Sequence, residues 1–86
     1  MRIYFHDRFT KQLQKLNERQ QDAVRDRLKV FIENPYHSSL NNHALKGTYS
    51  GYRSINITGD MRALYKLTSE GSVSYTHLTL PTTPYV

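Results

Sequence analysis

In the middle of the 86-residue chain stand His43, Lys46, Arg53, Asp60 and Arg62: one imidazole, one carboxylate and three cations. These residue types suit the breaking of a phosphodiester. A histidine of ordinary pKa, near 6.5, gives and takes protons at neutral pH. Guanidinium groups stabilise the negative charge that develops on phosphorus, and a carboxylate orients an imidazole or acts as a base itself. Taken by residue type alone, the same five also read as a turn aspartate, solvated sheet cations and a loop-capping histidine. Other chemistries are poorly served. There is no cysteine, which removes disulfides, thiolate-bound zinc and thiol nucleophiles. The histidines His6, His37, His43 and His77 lack a metal-ligand spacing, so neither a metal nor a cofactor is expected. The chain has no Walker loop, dinucleotide-binding glycine fingerprint, zincin motif or nucleophile-elbow serine.

The charge distribution supports an anionic partner. Twelve Lys and Arg against seven Asp and Glu give a net charge of +5 and a pI near 9.7, a balance that favours polyanions through phosphate contacts. Between residues 7 and 33 the two signs interleave, as on solvated helices. Residues 34–67 carry Lys46, Arg53, Arg62 and Lys66 against the single acid Asp60, and residues 71–86 carry no Asp, Glu, Lys or Arg. No apolar run approaches the roughly 18 residues of a membrane span. The segment Met1–His6 lacks the apolar core of a secretion signal, so a cytoplasmic protein is expected.

The elements that must hold the five residues are a strand, two helices and a hairpin. Residues 2–6 alternate, with Ile3 and Phe5 on one face. Asp7 is placed to cap a helix bearing Phe9, Leu13 and Leu16. Asn17 with Gln20 forms a capping-box pattern that opens a second helix, with an apolar stripe of Val24, Leu28, Phe31 and Ile32 that ends at Asn34-Pro35. Strands are expected over Tyr52–Thr58 and Met61–Leu67 around Gly59-Asp60. If the turn is a strict two-residue loop, Arg62 shares the face of Ile55 and Ile57. A longer turn pairs Asn56 with Arg62 and sends Ile55, Ile57, Met61 and Ala63 toward the helices; burying four apolar residues while keeping a guanidinium hydrated favours this register. The fold class is α+β: an N-terminal strand, an antiparallel helical hairpin, then a small twisted antiparallel sheet.

Asn42-His43-Ala44-Leu45-Lys46-Gly47, then Gly51-Tyr52-Arg53-Ser54-Ile55-Asn56-Ile57 and Gly59-Asp60-Met61-Arg62-Ala63-Leu64-Tyr65, resemble the RelE/ParE toxin superfamily, in particular its YafQ-like messenger-RNA interferases. The resemblance covers residues 1–70 and is most specific over 42–65. It implies a toxin of a bacterial toxin–antitoxin system that cuts messenger RNA in the ribosomal A site through attack of the ribose 2′-hydroxyl, and that is held in check by a cognate antitoxin. It implies catalytic roles for His43 in proton transfer, for Asp60 as the acidic residue and for Arg62 in phosphate binding. Lys46 and Arg53 match no catalytic position and are candidates for RNA contact. Asn56 stands where the YafQ-like branch can carry another histidine, and Met61 replaces an aromatic.

The departure from the family lies after residue 70. Relatives close the sheet with a further strand and a histidine-bearing segment. Thr76-His77 imitates the family's Thr-His about three residues early, which makes His77 a further catalytic candidate. Ser74 to Thr82 resembles translated sequencing-adapter read-through. Residues 1–70 are therefore expected to form the toxin domain and 71–86 an uncharged tail, non-native or disordered; the alternative is a divergent strand from Ser72 to Leu80 that restores the histidine. Two other functions fit the resemblance: a ParE-type gyrase inhibitor that needs no proton-transfer residues, and an impaired toxin that only binds its antitoxin.

Overall fold

The computed structural model describes residues 2–59 and 61–79. Strand β1 (Ile3–Phe5) runs directly into helix α1 (Asp7–Gln14). The cap is His6, not Asp7: in extended backbone, its Nδ1 accepts the Arg8 N–H at 3.1 Å. Asp7 instead occupies the first turn, where a carboxylate complements the positive end of the helix. Helix α2 (Glu18–Glu33) opens with the expected box, in which Gln20 N–H donates to Asn17 Oδ1 at 2.8 Å and Asn17 N–H to Gln20 Oε1 at 3.2 Å. It stops before Asn34-Pro35, as the proline requires. Val24 and Phe31 are buried, whereas Ile32, read as part of the same stripe, is 55% exposed. One residue of helix is a rotation of about 100°, which carries Ile32 past the edge of the contact.

Four further strands complete the sheet among the described residues: β2 (His43–Ala44), β3 (Tyr52–Asn56), β4 (Arg62–Leu67) and β5 (Val73–Thr79). Their order is β1-β5-β4-β3-β2. Strands β2 to β5 pair antiparallel, the β3–β4 hairpin being the expected one, but β1 joins β5 in parallel. A parallel pair needs a long connection, and here everything between the two strands supplies it. The hairpin takes the longer turn. Asn56 faces Arg62, Ile57 N–H and Thr58 N–H both donate to Met61 O at 2.8 and 3.1 Å, and Ile55, Ile57, Met61 and Ala63 are buried.

Val73–Thr79, within the segment read as a tail from residue 71 or alternatively as a divergent strand, forms the strand between β1 and β4; residues 80–86 lie outside the described residues. Two side-chain hydrogen bonds lock β5 to α1: Leu78 N–H donates to Gln12 Oε1 at 2.7 Å, and Gln12 Nε2 donates to Leu78 O at 2.9 Å. Tyr75, fully buried, is the centre of the core. Its ring lies 5.4 to 5.9 Å from those of Phe5, Phe9, Phe31 and Tyr65.

Candidate functional site

The sheet face turned away from the helices collects most of the chemistry. Register decides which side chains reach it. His43 faces Ser54, Ser54 faces Leu64, and Leu64 faces His77, so one row crosses four strands. The next row is Asn56, Arg62 and Thr79. His77 joins this face only because β5 bulges. Tyr65 pairs with Tyr75 and Leu64 with His77, leaving Thr76 as an extra residue. That residue reverses the alternation, so Tyr75 points into the core while His77 shares the face of Leu64.

His43 and His77 stand at opposite ends of their row, about 14 Å apart at ordinary strand spacing. Arg62 is the diagonal neighbour of His77, with Cα atoms about 7 to 8 Å apart. Asp60 lies outside the described residues; its neighbours Gly59 and Met61 are at the β3–β4 turn, beyond the row of Arg62. Three polar atoms on this face are buried without a hydrogen-bond partner among the described residues: Ser54 Oγ, Asn56 Oδ1 and His77 Nε2. Such groups are rare in folded proteins and concentrate where a ligand or water completes them.

Each histidine has one ring nitrogen engaged. His43 Nδ1 lies 2.8 Å from Asn41 O. A carbonyl only accepts, so Nδ1 carries the proton and Nε2 of the neutral ring is free to accept another. Asn41 has φ 47°, a left-handed conformation that asparagine tolerates. His77 Nδ1 is 3.0 Å from Thr76 Oγ1. Burial lowers the His77 pKa below the usual histidine value, and the Arg8 charge adds to the shift. The folded state thus holds this ring neutral while the unfolded chain protonates it near pH 6.5. Stability is therefore fully present above that pH and is lost as pH falls below it toward the folded pKa. The His77→Gln variant is expected to show a shallower loss of thermal midpoint between pH 7 and 5 than the parent; identical slopes would assign the acid sensitivity to other groups.

The two cationic candidates outside Arg62 are placed differently. Lys46 is exposed just before a 3-10 turn, Gly47–Tyr49. Arg53 is on the opposite face, since alternation along β3 puts it with Ile55. Its Nε donates to Asn42 Oδ1 at 2.8 Å, its guanidinium lies 5.6 Å from the centre of the Tyr36 ring, and Asn42 Nδ2 donates to Tyr65 Oη at 2.7 Å. The guanidinium is tied into a network on the helix side. No group of three or more His, Cys, Asp or Glu among the described residues is placed to hold a metal ion.

Next to His77 is a cleft of about 240 Å³, lined by His6, Arg8, Tyr49, Tyr52, Thr76 and His77. The turn carrying Tyr49 is set by Gly47 and Gly51, with φ of 68° and 93°, values that a side-chain-bearing residue rarely adopts. It lays the Tyr49 ring 5.3 Å from that of His77. Sequence reasoning did not find Tyr49, Tyr52, His6 or Arg8. The one signal was the pair of tyrosines flanking Ser50-Gly51 ahead of a strand, which does not show where the turn folds.

No helix among the described residues is long and apolar enough to cross a membrane. In sequence the chain matches no protein-family model and no curated protein. In three dimensions it is similar to a YoeB/ParE toxin from Agrobacterium tumefaciens (TM-score 0.76, 19% identity, covering 93% of this chain and 98% of that one). It is equally similar to YafQ from Escherichia coli (TM-score 0.76, 21% identity, 93% of both chains). A third match lies in the toxin–antitoxin complex RelBE2 of Mycobacterium tuberculosis (TM-score 0.75, 21% identity, 92% of this chain and 95% of that one). The α+β arrangement of strand, helical hairpin and five-stranded sheet is therefore the fold of the RelE/ParE toxins.

Proposed function

We propose that this chain is the toxin of a type II toxin–antitoxin pair and an endoribonuclease that cuts messenger RNA, in the ribosomal A site. The observation that carries the reading is the shared sheet face, where the register aligns His43, Arg62 and His77 beside three unpartnered polar atoms. A gyrase inhibitor acting through protein contacts has no use for such a face. The structural neighbours support the toxin role, and the RelBE2 complex supports an antitoxin partner. The setting for messenger RNA and ribosome is the cytoplasm.

In this reading the ribose 2′-oxygen attacks the adjacent phosphorus. A base removes the 2′-hydroxyl proton, an acid supplies one to the departing 5′-oxygen, and the products are a 2′,3′-cyclic phosphate and a 5′-hydroxyl. His43, with Nε2 free to accept, suits proton removal. Asp60 gives the proton to the leaving oxygen. His77, about 14 Å along the row from His43 and held neutral by burial, does not serve as the acid at the same phosphate. Arg62, exposed in the middle of the face, holds the phosphate. Lys46 is a further RNA contact; Arg53, committed to Asn42, is given none. Expression of the chain is expected to arrest growth and leave cleaved messages, with relief by the co-expressed antitoxin. His43→Ala is expected to slow cleavage by about 10²- to 10⁴-fold, the range of a positioned acid or base. Unchanged cleavage in that variant defeats the assignment, and growth arrest with intact messages but impaired DNA supercoiling replaces it with the gyrase reading.

A further inference from the structure

The cleft beside His77 has features that the cleavage step leaves unused. Three rings wall it. Tyr49 and Tyr52 meet edge to face at 6.0 Å and 89°, and both lie against His77, at 5.3 and 6.4 Å. Tyr49 is still 42% exposed, so part of its ring is open to the cleft and to solvent. The inner wall is polar: His77 is 8% exposed, yet its Nε2 has no partner among the described residues. The charge is of one sign. Arg8 lines the cleft, the Lys66 ammonium sits 5.6 Å from the centre of the Tyr52 ring, and no carboxylate is among the lining side chains.

We propose that this cleft is a subsite for one unpaired nucleotide of an RNA strand, its base stacked on Tyr49 with an edge toward His77 Nε2 and its phosphate at Arg8. The proposal rests on the ribonuclease reading and adds to it a residue-level account of how the strand is gripped. A flat π system fits an aromatic wall with any base, because every base has a π face. A base edge carries the hydrogen-bonding groups that a buried imidazole nitrogen lacks, and the flanking phosphate meets a guanidinium. An acidic peptide would satisfy the cations but leave the rings and Nε2 without partners. The cleft adjoins the diagonal of His77 and Arg62, so the bound nucleotide is one that flanks the bond to be broken.

The test is binding of a 2′-O-methyl oligoribonucleotide, which lacks the attacking hydroxyl, to the full chain by tyrosine fluorescence, beside cleavage of the unmodified strand. Tyr49→Ala is expected to weaken binding roughly tenfold, and Tyr49→Phe to leave it unchanged, as stacking on an aromatic ring predicts. Arg8→Gln is expected to lower the salt slope of binding by about one, the signature of a lost phosphate contact. Tyr49 lies in an exposed turn, and a parental melting profile for each variant separates contact from folding. Wild-type affinity in both Tyr49→Ala and Arg8→Gln overturns the subsite, as does a wild-type chain that does not bind the oligonucleotide, or its displacement by a glutamate-rich peptide of equal charge. Tyr49-dependent binding without RNA cleavage upholds the subsite and defeats the nuclease reading. Full cleavage in Tyr49→Ala with unaltered binding does the reverse.

Discussion

Tyr75→Ala is expected to lower the thermal midpoint by about 15 to 30 °C, enough to leave much of the chain unfolded at 37 °C. Truncating a buried aromatic costs about 3 to 5 kcal/mol, and each kcal/mol moves the midpoint of a domain this size by about 4 to 8 °C. The site has little scope to collapse, because Phe5, Phe9, Phe31 and Tyr65 all rest on the lost ring and small domains have limited stability to lose. The phenol oxygen tells a different story. It is buried without a partner among the described residues, and burial raises its pKa above the usual tyrosine value. Tyr75→Phe removes that unsatisfied group and keeps the ring, so it is expected to match or exceed the parent by about 1 kcal/mol. Thermal unfolding followed by circular dichroism checks both. A Tyr75→Ala midpoint within a few degrees of the parent would show that β5 does not seat the core.

Arg62→Ala is expected to reduce the cleavage rate by about 10²- to 10³-fold, the usual loss when a group aimed at developing charge is removed. Affinity for a non-cleavable RNA is expected to change much less, because one phosphate contact among several is lost. The asymmetry follows from position. Arg62 is exposed and faces Asn56 and Thr79 across the strands, so its removal leaves the core intact and takes from the site only a charge. Arg62→Lys is expected to recover part of the rate, since an ammonium keeps the charge but lacks the planar fork that grips two phosphate oxygens. Single-turnover cleavage measured beside equilibrium binding separates the cases. Equal losses in both would reduce Arg62 to charge attraction.

The parts of this fold that local rules govern are readable from the chain. The α2 capping box, its stop at Asn34-Pro35 and the pairing of Asn56 with Arg62 each follow from a few adjacent residues. That pairing also put Arg62 on the open face. Strand β5 was harder because its alternation is broken: Tyr75 and Leu78 are both inward, and only a bulge at Thr76 reconciles them. The same bulge aims His77, so neither the strand nor the placement of its histidine could be derived from periodicity. The His6 cap and the exposure of Ile32 turn on a single residue of phase. Arg53 looked available because its type suits RNA, yet its parity along β3 commits it to Asn42. The aromatic cleft depends on how two left-handed glycines fold a turn across the sheet, which no linear spacing records.

The strand order also governs when the fold can appear during synthesis. β5 is the last strand to be made among the described residues, yet it takes an interior position between the first strand and β4. Until residue 79 has cleared the ribosomal tunnel, β1 has no neighbour, α1 lacks its Gln12 anchor at Leu78, and the aromatic core lacks its central ring. Such non-local closure is slow and cannot begin early. A ribosome that has not yet extruded residue 79 therefore carries a nascent polypeptide without an assembled His43–His77 row.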